Sequence, residues 1–420
     1  MDASSPSRLA VVGGGIAGLV AARALCARHE VTLFEAAPRL GGHTHTVEVP
    51  DGERSLRVDT GFIVFHPEGY PHFTALLERL GVATQPTTMG FGFEDPVTGF
   101  AFEGSSWRGR FADPRTWLRP GPVLALWRDV RRFFLEAPRL LEEDAGERPL
   151  VPWLRSAGYG EAFIEQLIVP MGAAIWSSGR AAMESFPARF FVRFFDHHGM
   201  LRLRDRPAWR VVQGGSDSYL APLCAPYAER IRLGEPVRRI RRLDAGVEIA
   251  TDQGTGTWDG VVLALHADQA LRALADPSDE ERRILGALPF VANEVDLHTD
   301  RTVMPRRRAA WGSWTWRGGR ADDGRARITY WMNRLQGLRT RTPWLVSLNQ
   351  RDRIDPGRVH RRLVYEHPVY TLEGVARRRE LAGLQGTRRT WYAGAWVHDG
   401  FHEDGVRSAL EVAAALGGGL

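Results

Sequence analysis

LAVVGGGIAGLVAARALCARHEVTLFE, residues Leu9 to Glu35, is an apolar strand, a glycine turn, a helix and a second strand in succession. Leu9 to Val12 is uniformly apolar. Gly13, Gly15 and Gly18 follow at G-x-G-x-x-G spacing, and Ile16 to Arg28 has an apolar helical face. Val31 to Phe34 reads as the second strand and ends on Glu35. Gly13 permits the tight turn, Gly15 lets a pyrophosphate approach the backbone, and Gly18 lets helix and strand pack closely. The helix N-terminus at Ile16 and Ala17 offers free N–H groups and partial positive charge to that phosphate. Glu35 stands where an acid accepts hydrogen bonds from a ribose hydroxyl. The stretch predicts a dinucleotide site.

The chain has 420 residues, 44% of them hydrophobic and 25% charged, enough for two or three domains' worth of core. Cys26 and Cys224 are its two cysteines, too few for a disulfide framework, and point to a reducing compartment. No Cys/His spacing suggests a zinc site, so no metal is expected. The opening MDASSPSR lacks a basic region followed by a long apolar run, so neither signal peptide nor membrane span is expected. The expected location is cytoplasmic, with peripheral contact at the inner membrane face left open. Net charge is +5, yet every Lys/Arg position is arginine. No lysine is therefore present to act as base, Schiff-base former or water-holder. The arginines are interspersed with acids and no nucleic-acid motif stands out, so no nucleic-acid partner is expected.

Beyond Glu35 the chain does not continue as alternating strands and helices. It runs through Arg39, Gly41-Gly42-His43-Thr44, a strand at Leu56 to Val58, and Asp59-Thr60-Gly61-Phe62. This order resembles the flavin-containing amine oxidase and phytoene desaturase superfamily. There a G-G-x-T turn lies along the FAD pyrophosphate and a D-x-G turn follows near the flavin. The resemblance makes FAD the expected cofactor. Arg39, Gly42, His43, Thr44, Thr60, Gly61 and Phe62 join Gly13, Gly15, Ile16, Ala17, Gly18 and Glu35 as its expected contacts. His43 stands where the superfamily usually has arginine, replacing a fixed charge by a titratable donor.

Gly69 to Gly81 reads as a helix closed by glycine. From Thr87 to about Pro207 aromatics and helical spacings dominate, with little strand alternation. Leu124 to Leu141 is amphipathic; a core-facing helix is the preferred reading and a membrane-surface helix the alternative. Pro138 is expected to bend or end it. Phe190, Phe191, Phe194 and Phe195 share helical spacing, as core or as the wall of an apolar cavity. Gln213-Gly214-Gly215-Ser216 resembles the turn that returns to the FAD domain in the superfamily, and Val237 falls where relatives pass the adenine. Pro289 to Asn349 alternates like strands and carries Trp311, Trp314, Trp316, Trp331 and Trp344. The end resembles the superfamily's closing motif: a strand to Gly394, then a helix whose N-terminus faces the flavin. Glu403, Gly405 and Val406 fall on its contacting positions.

The expected fold is α/β, a Rossmann-like (GR2-type) FAD-binding domain with an interleaved α+β substrate domain. Residues 1–88, 208–287 and 386–420 would build the first. Residues 89–207 (helical) and 288–385 (sheet) would build the second. The detailed run looks similar to a bacterial subgroup of FAD-dependent oxidoreductases. Its members are often encoded near cyclopropane fatty acid synthases. That implies a fatty-acyl substrate and a lipid-modifying methyltransferase or cyclopropane synthase as partner. Amine oxidases of the superfamily commonly hold water at flavin N5 with lysine and cage the amine between aromatic rings. Here lysine is missing and His402 takes one cage position. His402, Glu403 and His398, and after them His367 and His298, are the acid/base candidates. Three functions remain open at this point: hydride transfer from a lipophilic chain to FAD, amine oxidation with a different N5 arrangement, and a non-redox role. The last would be double-bond isomerisation or service as flavoprotein partner of a lipid-modifying enzyme.

Overall fold

Strand Arg8–Val12 lies in the middle of a five-stranded parallel sheet. The order is Ile231–Leu233, Glu30–Glu35, Arg8–Val12, Gly260–Leu263, Thr390–Tyr392. The computed structural model describes residues 6–115, 121–142, 147–202, 205–318 and 325–420; the first residues, read above for a leader, lie outside that set. Parallel strands are buried on both faces, which is why their sequences are continuous apolar runs. Leu9 and Val11 face one core with helix Ile16–Leu25, while Ala10 and Val12 face another with Trp258 and Tyr392. The last helix, His402–Ala415, packs on Ile16–Leu25. The sheet is thus assembled from the beginning, middle and end of the chain.

A seven-stranded mixed sheet builds the second layer, in the order Val359–Pro368, Phe290–His298, Leu345–Leu348, Ile328–Trp331, Trp314–Arg317, Phe91–Glu94, Ala101–Glu103. The last two strands come from the stretch expected to be wholly helical. Their signal is local: Asp95 to Gly99 closes a hairpin, with Gly99 N donating to Asp95 O. Gly92 is glycine because a Cβ there would sit 2.4 Å from Ala310 O.

Helices Gly121–Glu136, Leu150–Ser156, Val169–Trp176 and Ala188–His197 cover one face of this sheet. Val123, Leu126, Val130 and Phe133 turn the first of them inward, and the chain leaves that helix before Pro138, whose ring cannot continue it. Phe191 and Phe195 stack with centroids 4.3 Å apart. Among the described residues no helix is long and apolar enough to cross a membrane.

Candidate functional site

The three motif glycines divide their work as steric arithmetic requires. A Cβ on Gly18 would lie 1.8 Å from Gly13 O, and one on Gly13 would lie 2.3 Å from Ala264 O. A Cβ on Gly15 would meet nothing within 4 Å. Gly13 and Gly18 are therefore packing residues, and Gly15 opens onto space at the start of helix Ile16–Leu25. The second glycine turn lies against the first: Gly41 N donates to Gly14 O, and a Cβ on Gly42 would lie 3.1 Å from Gly15 Cα. Glu35 accepts from Gly14 N at 2.6 Å and from Ala37 N at 2.7 Å. Each bond uses a different carboxylate oxygen, leaving lone pairs for a further donor.

From these turns one cavity of about 1000 Å³ runs through the molecule. Gly13, Gly15, Ile16, Ala17, Glu35, Gly42 and Val237 line its dinucleotide end; His43, Thr60, Gly61, Phe62, Gly394 and His402 line its middle. It continues between the helical layer and the seven-stranded sheet, past Phe163, Leu167, Met171, Phe194, Phe195 and Tyr330. The phenylalanine helix thus serves both roles: Phe190 and Phe191 are core, Phe194 and Phe195 are wall.

Asp59 explains why motifs far apart in sequence meet. Its carboxylate accepts from Thr46 Oγ1 at 2.6 Å, Ser216 N at 2.8 Å and Gln336 Nε2 at 2.9 Å. Burial raises its pKa to about 6 against those hydrogen bonds. One side chain thereby ties the D-x-G turn to the returning glycine turn and to the layer of the seven-stranded sheet.

Several expected contacts do other work. Arg39 donates to Leu40 O, Thr44 O and Gly42 O, so it braces the glycine turn from behind. Thr44 is buried, with its hydroxyl 2.5 Å from that of Tyr219. Gly405 serves helix packing: a Cβ there would lie 2.7 Å from Ile16 Cγ2. Val406 is fully buried core. None of these four lines the cavity.

The acid/base candidates separate sharply. Glu403 accepts from His72 N, Phe73 N and His72 Nδ1 at 3.0, 2.9 and 2.6 Å, capping helix Pro71–Arg79. His398 sits with Arg407 and Glu411 on another surface. Both lie outside the main cavity. His298 is buried against Ser347 at 2.8 Å, also away from it. His402 and His367 do line it. His402 stacks on Phe62 with centroids 3.7 Å apart and planes 8° apart, and its Nε2 is 2.9 Å from Tyr219 Oη. Desolvation depresses its pKa to about 3, so it is neutral at physiological pH.

His43 belongs to a histidine group that sequence order concealed. His367 and His266 lie 5.3 and 6.3 Å from it, centroid to centroid, and Tyr365 lies 5.0 Å away. Burial first, and then these imidazoles, hold His43 well below the ordinary histidine value. Its Nε2 is buried with no hydrogen-bond partner. A buried donor or acceptor left unpaired is costly, and a ligand in the cavity would supply the partner. His266, Tyr365, Arg110 and Arg206 also line the cavity without having been anticipated, as does Glu235, in the segment expected beside the adenine. Only Glu235, adjoining Val237, carried a local signal.

These residues fit FAD. Gly15 leaves room at a helix N-terminus, Gly42 and His43 adjoin it, Glu35 and Val237 stand at one end, and Thr60 to Phe62 with Gly394 at the other. A protein of Mycobacterium tuberculosis designated flavin-containing monoamine oxidase AofH is 28% identical over 286 residues, 64% of this chain and 58% of the relative. The chain thus spans less than two thirds of that relative's length. L-amino acid dehydrogenase of a Synechocystis strain is 26% identical over 62% of this chain and 55% of its own length. Among solved structures, a conjugated linoleic acid (CLA)-producing fatty acid isomerase from P. acnes superposes with TM-score 0.70 at 18% identity, over 99% of both chains. A putrescine oxidase does so with TM-score 0.69 at 16% identity, over 98% of both. At such identities these two structures show a shared fold alone. The family model for flavin-containing amine oxidoreductases matches residues 16–349, most of the length, and the chain belongs to that family, whose members bind FAD.

Proposed function

We propose that this protein is an FAD-dependent oxidoreductase that removes hydride from a lipophilic substrate, a fatty-acyl or related lipid chain. The observation that carries the reading is the shape of the cavity. It leads from the dinucleotide turns into a chamber walled by Phe163, Leu167, Met171, Phe194, Phe195 and Tyr330. Bound FAD would supply a two-electron acceptor. The chain's residues do the rest. The aromatic and aliphatic wall holds an apolar chain and excludes water. The Phe62–His402 stack closes one side, and His402, neutral and held by Tyr219, orients without adding charge. Helix His402–Ala415 starts at the cavity wall, so its free N–H groups bring partial positive charge to the place where a reduced cofactor would carry negative charge.

Amine oxidation is the second reading, favoured by the family and by the likeness to AofH. Against it stand the absence of lysine and the replacement of a cage aromatic by His402. Peripheral contact with the inner membrane face and a cyclopropane synthase or related methyltransferase as partner belong to the lipid reading. Anaerobic incubation of the FAD-loaded protein with bacterial phospholipid or fatty acids, and separately with amines, tests it. Bleaching of the flavin by lipid alone supports the proposal. Bleaching by amines alone replaces it with the second reading.

A further inference from the structure

We propose that Arg110 and Arg206 form a clamp for a carboxylate, so that the lipid enters this cavity as a long-chain acid. This rests on the lipid reading above and specifies its head group. Both guanidinium groups line the same cavity as the dinucleotide turns. Arg206 is exposed and Arg110 half-buried, so solvent reaches this part of the wall.

Each arginine is fixed by one nitrogen and one ring. Arg110 Nε donates to Gly104 O at 3.3 Å, and its guanidinium lies 5.3 Å from the centre of the Trp127 ring. Arg206 Nε donates to Arg202 O at 3.0 Å, and its guanidinium lies 5.8 Å from the Phe134 ring. These contacts hold the planes while leaving the outer nitrogens for a ligand. Neither forms an ion pair with an acid among the described residues. Glu103, close in sequence, is occupied by the backbone N–H groups of Ser105 and Ser106 at 2.9 and 3.2 Å. Trp127 and Phe134 lie about two turns apart on helix Gly121–Glu136, which sets the two guanidinium groups along one stretch of the cavity wall. Desolvation, and then the Arg110 charge, lower the pKa of Arg206, so the two cations repel one another.

A planar anion between them would remove that repulsion. Two guanidinium forks match a carboxylate geometrically, and charge-assisted hydrogen bonds are the strong ones. The same two charges oppose a long-chain ammonium ion at this wall. Beyond the clamp the cavity offers apolar length, through Phe163, Leu167 and Phe195. Head group and chain thus have separate, chemically matched places.

The test is calorimetric titration of the FAD-loaded protein with oleate, methyl oleate and oleylamine, each below its micelle concentration. Oleate should bind roughly 10- to 100-fold more tightly than methyl oleate, the range expected for hydrogen bonds to a charged group. That preference should fall with added salt. It should collapse towards unity in the R110Q/R206Q double variant and survive in part in R110K/R206K, which keeps charge without the fork. Equal binding of acid and ester by the unaltered protein would overturn the clamp and leave the lipid reading standing. So would a preference that persists in R110Q/R206Q, or tightest binding of oleylamine. Failure of all three ligands to bind would overturn the lipid reading and the clamp with it.

Discussion

Replacing Glu403 by alanine should cost stability and leave the chemistry nearly intact. The carboxylate is 8% exposed and accepts from His72 N, Phe73 N and His72 Nδ1. The His72 ring is half-exposed, so its share is small. The backbone contacts matter more, since they cap helix Pro71–Arg79 and Phe73 is fully buried. Loss of a helix cap costs about 1 kcal/mol, and leaving the buried Phe73 N–H unpaired adds about 1–3 kcal/mol. Together E403A should lose about 2–4 kcal/mol. E403Q, which keeps one acceptor oxygen, should lose about 1 kcal/mol. Urea unfolding followed by tryptophan fluorescence reads the loss. The anaerobic rate of flavin reduction, measured on the same samples, should change less than about tenfold, a difference of 1.4 kcal/mol in the barrier. A fall of a hundredfold or more with an unchanged unfolding midpoint would return Glu403 to the reacting centre.

The glycine turn allows a crossed comparison. G15A should fold with unchanged stability and purify depleted of flavin, because its Cβ enters only the open space meant for the ligand. G18A should lose about 1–3 kcal/mol or more as well as the flavin, because its Cβ must displace Gly13. Flavin content and thermal unfolding of both variants check the pair. His402 sets an acid limit. Its folded pKa is depressed to about 3 from an ordinary 6.5, so the stability it confers is present above pH 6.5 and is lost as pH falls towards 3. H402F should reduce the pH dependence of unfolding in that window by one proton's share, the other buried histidines keeping theirs, measured on the FAD-free protein. Removing Glu281 should cost about 1.5–3 kcal/mol. It would take the carboxylate bonded at 2.8 and 3.0 Å from Arg242, whose side chain is 1% exposed and which would keep Asp276, at 2.9 Å, as its acid partner. Chemical denaturation of E281A reads this directly.

The dinucleotide unit was legible because its chemistry is local. An apolar run, three spaced glycines, an apolar-faced helix and Glu35 each constrain the backbone where they stand. Assembly of the sheet from three parts of the chain was implied by the resemblance of the Gly41-Gly42, Gly214-Gly215 and Gly394 turns to those of the superfamily. Side-chain direction was not legible. Arg39 turns back onto three carbonyls, Thr44 finds Tyr219, and Glu403 reaches a helix that sequence places far away. Position within a motif does not specify which way a side chain leaves the backbone. The hairpin Phe91–Glu94 and Ala101–Glu103 was hidden by its aromatic neighbours, although the Asp95 to Gly99 turn marks it. The histidine group around His43 and the placing of Arg110 and Arg206 on one cavity arise only when distant segments fold together, and no local pattern announces them.

The most direct test of the central claim is mass spectrometry of a fatty acid after one anaerobic turnover with the FAD-loaded protein. The chain should lose two hydrogens for each flavin reduced, as hydride transfer with loss of a proton requires. A chain recovered at unchanged mass, from a protein whose flavin is reduced only by amines, would contradict it.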